Sequence, residues 1–374
     1  QKEIENGQSI KKQVAALEPQ QKGYKALKEG IPAFLAKADY RDYTRVPAKN
    51  AAGYTRAPQQ RLYEGKYIAL APDSLRADSV QLSVAIKKFQ KEKGITVDGK
   101  AGDATIRMLN TSDREKFIRI AISMDRYKLL PEKMPERYIL VNTSGNYMEV
   151  IEKGEVKLSS KVICGKNKTR TPLLNSAVNS IITYPQWVPP PSIVSKEILP
   201  AVKKDPGYLA RKGFTLVNSD GEEVDPYSVD WSKYSKGIPY RVVQGSGDAN
   251  ALGVVKFVFD NKYSVYLHDT NQRYLFGNAM RNLSHGCVRV QSWQDLAWYM
   301  LRSDSSISRG KNYTRVDSVR AWLSRKEKHT IPLRNRVPVF IRYFTCEGKN
   351  QNIVFYDDVY AEDKYLREKY FALK

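Results

Sequence analysis

Read as a string of apolar and polar positions, the chain changes period along its length. From Gln1 to about Asn50, Lys, Gln, Glu and Ala dominate, and the compact apolar clusters are Val14 to Leu17 and Ala33 to Leu35. Pro47 and Pro58 interrupt any helix, so residues 1–60 read as N-terminal scaffold or linker. From Gln81 the pattern sharpens: Leu82, Ala85, Ile86 and Phe89 fall at i, i+3, i+4 and i+7, one helical face that Gly94 stops. Asp98-Gly99 turns the chain and Ile106 and Leu109 mark a second short helix, so Ser79 to Asn110 reads as a small helical module. Ser112, with Glu115 three residues on, predicts a capping box ahead of a stripe at Phe117, Ile120, Ala121 and Met124, and Pro131 marks its far end.

Beyond Pro131 the period shortens to that of strands. Tyr138 to Thr143, Tyr147 to Ile151 and Val156 to Cys164 read as an antiparallel beginning, with a turn at Lys153-Gly154. Pro185 to Gly247 breaks the pattern, with Trp187, the run Pro189-Pro190-Pro191, a predicted helix from Ser195 to Lys204, and the turns Asp205-Pro206-Gly207 and Asp225-Pro226. So long an insertion between strands is usually functional. Strands resume at Val254 to Phe259 and Ser264 to His268. Helices follow at Trp293 to Leu301 and Val316 to Ser324, and Val337 to Phe344 and Asn352 to Tyr356 read as closing strands. No internal repeat is visible.

Composition narrows the picture. The chain has 374 residues with 62 Lys or Arg and 40 Asp or Glu, a net charge of +22, and 41% hydrophobic and 11% aromatic residues. That excludes a disordered polyelectrolyte and predicts more than one domain. No apolar run is long enough for a membrane span. The sequence opens at Gln1 rather than Met, which predicts a processed leader or an anchor upstream. The excess positive charge suits an anionic partner. No helix-turn-helix, zinc-finger or aromatic RNA-binding signature accompanies it, so nucleic acid is not the expected partner. Cys164, Cys287 and Cys346 are too few and too scattered for a disulfide framework or a paired-cysteine metal site.

One stretch concentrates reactive side chains: Tyr266-Leu267-His268-Asp269-Thr270, then Ser284-His285-Gly286-Cys287-Val288-Arg289. A cysteine nucleophile needs a partner that takes its proton and stabilises thiolate, a group that orients that partner, and donors for a developing oxyanion. His268 ends an apparent strand, and Gly286 lacks a Cβ beside Cys287, which lets main-chain N–H groups approach a carbonyl. His285 lies two residues before Cys287 and could face the same way, so spacing alone does not separate the two histidines. The competing reading is a buried structural thiol beside core histidines. Cys164 and Cys346 read as structural thiols.

These segments resemble the signature of the L,D-transpeptidase catalytic family, bacterial enzymes that cross-link peptidoglycan through a cysteine. Asn250-Ala251-Leu252-Gly253, Lys256-Phe257, Leu275-Phe276 and Asp295-Leu296-Ala297 are similar to the large subgroup with a lid over the active site. Trp187 to Pro190, Ile198 to Pro200 and Asp205 to Tyr208 resemble that lid's entry. Phe89-Gln90, Asp98-Gly99, Gly102 and Ala104-Thr105 are similar to a peptidoglycan-binding domain.

The resemblance implies a multidomain α+β protein: a scaffold over 1–60, a helical peptidoglycan-binding domain over 61–111, and a catalytic domain over 112–374. That last is expected to be a mainly antiparallel β-sandwich with a lid over about 185–247. Cys287 would be the nucleophile, held as thiolate, and His268 its proton partner. His285 would stand behind them, and the main-chain carbonyl of Asp269 would orient His268, with its carboxylate the competing candidate. The amides of Gly286 and Cys287 would form the oxyanion hole. Arg289 would bind a substrate carboxylate or brace the loop; Tyr266, Trp187 and Ser284 would line the substrate site.

No metal or organic cofactor is implied. The expected partners are peptidoglycan stem peptides, with carbapenem β-lactams as covalent inhibitors, and the expected place is the periplasm or cell envelope. The rival readings are a carboxypeptidase or endopeptidase on the same scaffold and a non-catalytic wall-binding protein.

Overall fold

The computed structural model describes residues 16–49, 51–54, 56–69, 80–307 and 313–371. The predicted cluster at Val14 and the Ser79 boundary lie outside the described residues. The chain forms two compact units: residues 135–343, and residues 1–134 together with 344–374.

In the flanking unit, α1 (Lys22–Leu35), α2 (Ala57–Glu64), α3 (Val80–Glu92), α4 (Asp103–Leu109) and α5 (Asp113–Arg126) follow one another. Leu82, Ala85, Ile86 and Phe89 are buried as their spacing predicts, and they share a core with Val46, Leu62, Ile68, Ile106 and Leu109. Gln90 holds the turn of this module: its buried amide donates to Asp98, the Lys100 carbonyl and Thr105, and accepts from the N–H groups of Asp98 and Gly99.

In α5 the Ser112 hydroxyl caps the Glu115 amide at 3.1 Å. The buried face, however, is Ile118, Arg119, Ile122 and Arg126 with Ile120, and Phe117 and Ala121 stay exposed. The helix is turned to bury two arginines, because both reach Asp363 of the C-terminal helix Glu362–Tyr370: Arg126 at 2.6 Å and Arg119 at 3.3 Å. Apolar periodicity could not register a buried face carrying charge.

This also explains a boundary. The sequence reading carried the catalytic segment from 112 to the chain end, whereas α5, the hairpin Cys346–Lys349/Asn352–Phe355 and the last helix all belong to the flanking unit.

The other unit is built on β1 (Arg137–Asn142), β2 (Tyr147–Glu152), β3 (Glu155–Gly165), β4 (Leu174–Thr183), β8 (Val255–Phe259), β9 (Leu267–His268), β10 (Asn282–Ser284), β11 (Val288–Val290) and β12 (His329–Arg342). The insertion supplies β5 (Phe214–Val217), β6 (Glu223–Val224) and β7 (Arg241–Gln244). The nine strands run in the order β10-β3-β11-β9-β8-β4-β12-β1-β2, and β2 also pairs with β3, so the hydrogen bonding returns on itself. Three of the pairings, β1–β12, β10–β3 and β11–β9, are parallel. The expected mainly antiparallel sandwich is therefore corrected to a mixed sheet. Its apolar face, together with α6 (Trp293–Ile307), forms one core that includes Val162, Val178, Phe257, Leu267, Val288 and Leu296.

β4, which alternates apolar residues with Asn and Ser, escaped the sequence pattern, as did the short β10 and β11. Of β12 the pattern shows only the part from Val337; the strand begins at His329 and runs past Pro332 and Pro338 by shifting register between Pro332 and Val337.

The insertion has its own core of Ile198, Leu199, Val202, Leu209, Phe214, Leu216, Trp231 and Val242. The predicted helix Ser195 to Lys204 is continuous helical chain, but Val194–Ile198 is wound as a π-helix before Leu199–Lys204. Pro200 brings no N–H to the ladder there. Among the described residues no helix is long and apolar enough to cross a membrane.

Replacing Asp363 by Ala removes the buried carboxylate that pairs with both the Arg119 and Arg126 guanidiniums. Urea unfolding should show the transition of the flanking unit destabilised by about 3–5 kcal/mol; a loss below about 1 kcal/mol would mean the ion pairs are not what docks the C-terminal helix.

Candidate active site

Strand alternation decides which side chains share the site. Phe257 of β8, Leu267 of β9 and Val288 of β11 point into the core, so their neighbours Lys256, Tyr266, His268, Cys287 and Arg289 stand on the opposite face. Register brings them together across three strands: Lys256 lies opposite His268, and His268 opposite Arg289. Cys287, one residue ahead of β11, falls beside Tyr266 and diagonal to His268.

The loop carrying Cys287 is held by its own polar atoms. Gly286 adopts φ +121°, which favours glycine. Ser284 Oγ donates to the Cys287 carbonyl at 2.6 Å and accepts from the Gly286 N–H at 3.1 Å. Thr171 Oγ1 donates to the Gly286 carbonyl at 2.8 Å. The Gly286 amide, expected to be an oxyanion donor, is thus engaged by Ser284.

Burial sets the charge state of the pair. His268 is only 4% exposed, and burial, followed by the Arg289 charge, pushes its pKa down to about 3. The carbonyls of Asp269 and Leu252 beside the ring oppose that shift, yet Nδ1 has no partner within hydrogen-bonding geometry among the described residues. Burial also raises the Cys287 thiol above its ordinary value, opposed by Tyr266, Lys256 and Arg289. Both directions favour a thiol beside a neutral imidazole at rest, whereas the sequence reading expects a thiolate. The thiol lies 3.8 Å from the Ser264 carbonyl.

The Asp269 main-chain carbonyl stands beside the His268 ring as expected, whereas its carboxylate, the competing candidate, is occupied elsewhere. Its carboxylate, fully buried, accepts from the Val254 N–H at 3.1 Å and from Arg273 at 3.0 and 2.6 Å. This closes the Asn250–Gly253 turn against β9. Gly253 has φ +62°, and a Cβ there would lie 2.3 Å from the Asp269 carboxylate.

The two histidines, inseparable by spacing, are separated by the fold. The His285 ring is exposed, and Nε2 meets Glu197 of the insertion at 2.5 Å. Glu197 was not singled out in the sequence, because an isolated acid in an insertion carries no pattern.

The insertion also reaches the site through Trp187, whose indole interacts with the Tyr266 side chain. Trp187 is paired in a bridge with Gln244 at the insertion's far end. Arg289 is half-buried; it donates to Gln272 at 3.0 Å, and its Nε is buried without a partner among the described residues. Lys256, also half-buried, holds its Nζ 3.9 Å from the centroid of the Tyr266 ring.

Such a site suits acyl transfer: a thiol on a strand face, an uncharged ring within its register, cations on both sides and an insertion overhead. Residues 136–309 match the model of the L,D-transpeptidase catalytic domain, and residues 55–109 that of the "Putative peptidoglycan binding domain". A Haemophilus influenzae protein named "Putative L,D-transpeptidase" is 34% identical over 248 residues, which is 66% of this chain; the chain spans about half of that relative, 48% of its length.

Among solved structures, the catalytic domain of the E. faecium L,D-transpeptidase acylated by ertapenem is 18% identical, with 43% of this chain and 85% of that one covered at a TM-score of 0.22. An L,D-transpeptidase from Mycobacterium smegmatis is 12% identical, with 55% and 58% covered at a TM-score of 0.26. Residues 136–309 therefore carry an L,D-transpeptidase catalytic domain, with a peptidoglycan-binding domain match ahead of it.

Proposed function

We propose that the protein is a cysteine-dependent peptidoglycan L,D-transpeptidase that forms 3→3 cross-links between stem peptides. The observation that carries this reading is the placing of Cys287 and His268 on one face of adjacent strands, beneath an insertion that reaches Tyr266 through Trp187. Cys287 Sγ attacks the carbonyl carbon between the third stem residue and a terminal D-alanine while its proton passes to His268. The tetrahedral intermediate collapses, the C–N bond breaks, and D-alanine leaves with that proton. The amine of a second stem then attacks the thioester, gives its proton to His268, and the C–S bond breaks to restore the nucleophile.

The neutral resting pair fits a general base better than a preformed ion pair, because a ring that starts uncharged can accept the proton at the moment of attack. Burial holds the pKa of the His268 ring far below neutrality, so in this reading the proton is accepted as negative charge develops beside it rather than in the free enzyme. With the Gly286 N–H engaged, the Cys287 amide is the main-chain oxyanion donor in this reading. Arg289, with an unpartnered buried Nε and no carboxylate on it, suits the carboxylate of the donor stem. His285 serves the lid contact through Glu197 rather than the proton transfer.

The same site would act as a carboxypeptidase wherever water replaces the acceptor amine, and the insertion, by excluding water, favours the amine. The net charge and the peptidoglycan-binding match fit a place in the cell envelope, against an anionic wall.

Incubation with purified tetrapeptide muropeptides, read by mass spectrometry, tests the reading. Cross-linked dimers that lack one D-alanine are expected; shortened monomers alone would favour the carboxypeptidase, and unchanged substrate would remove the enzymatic reading. His268→Ala should lower turnover by at least about 100-fold, while His285→Ala should retain most of it; the reverse ranking would reassign the base. A carbapenem, whose strained lactam presents the same acyl carbon, should add its mass to the wild type and not to Cys287→Ala.

A further inference from the structure

Outside the nucleophile and its base, the site face holds a cation that neither task has used. Lys256 stands on β8, the strand paired with β9, with His268 as its register partner. Its stem is half-buried, and its ammonium lies over the Tyr266 ring at 3.9 Å, on the side chain that itself interacts with Cys287. No carboxylate pairs with it among the described residues. The groups that face it are Tyr266 and His268 from β9 and Cys287 and Arg289 from the β11 edge. A cation held between an aromatic face and a thiol, with no acid to neutralise it, is costly to bury and gains only where negative charge develops nearby.

We propose that Lys256 is an electrostatic positioning residue for the nucleophile: fixed over Tyr266, its ammonium stabilises the Cys287 thiolate that attacks the substrate. This rests on the reading of Cys287 as nucleophile and deepens it. Burial disfavours the thiolate, and His268, neutral at rest, supplies no charge to offset that. Lys256 precedes Arg289 among the charges that oppose the burial effect on the thiol, and the interaction is mutual, since Cys287 in turn favours the charged form of the lysine. Tyr266 then has two tasks, a platform for the ammonium and a contact for the sulfur.

The pH dependence of iodoacetamide alkylation, followed by intact mass on the full chain, tests this without requiring turnover. Cys164 and Cys346 are fully buried, and Cys287→Ala gives the blank. Lys256→Met and Lys256→Gln should each move the midpoint of Cys287 alkylation upward by about one pH unit, so that reaction near pH 7 slows by roughly five- to tenfold; Lys256→Arg should keep the wild-type midpoint. An unchanged midpoint in either uncharged variant, or an equal shift in the arginine variant, would overturn the proposal. Muropeptide turnover measured on the same samples separates the two claims. A shifted midpoint in a protein without transfer activity sinks the transpeptidase reading alone, and normal transfer with an unshifted midpoint sinks the role of Lys256 alone.

Discussion

The site depends on the register of a two-residue strand. β9, only Leu267 and His268, is clamped between β8 and β11, and Leu267 in the core fixes which way His268 faces. A slip by one residue would carry His268 into the apolar core and Leu267 onto the site. The buried Asp269 carboxylate, tied to Val254 and Arg273, anchors the strand's end and guards against that slip. The Asp269 carboxylate thus acts on the backbone that carries the His268 ring, and only the residue's main-chain carbonyl faces the ring itself.

Burial then decides the chemistry. Removing a thiol and an imidazole from water penalises their charged forms, so burial raises the pKa of Cys287 and lowers that of His268, and both directions favour the uncharged groups. In the proposed reaction, reactivity comes from what surrounds them at the moment of attack: the ammonium and guanidinium on the same face and the Cys287 amide. A neutral resting thiol also resists adventitious oxidation better than a standing thiolate.

Much of this was legible in the sequence wherever one physical signal dominated. The stripe Leu82, Ala85, Ile86 and Phe89 is buried as its spacing requires, and the motif around Cys287 pointed to the family that the catalytic domain belongs to. What escaped was organised by other forces. The face of α5 was misplaced because Arg119 and Arg126 are buried by pairing with an aspartate more than two hundred residues away, which no local period contains. β4 and the first half of β12 were hidden by Asn, Ser and Pro, tolerated because ladder bonds and a register shift accommodate them. The engagement of Gly286 by Ser284 and of His285 by Glu197 are matters of hydrogen-bond geometry and chain crossing, and the burial that raises the Cys287 pKa against the nearby charges is a property of the folded surroundings.

The most direct test is the charge of one ring. In a full-length sample labelled with ¹⁵N-histidine, with signals assigned by comparison with His268→Ala, the His268 nitrogens should keep neutral-imidazole shifts from pH 8 down to about 5. Imidazolium shifts for His268 at pH 7 would contradict the account, because they would require the charged thiolate pair that burial on this strand face forbids.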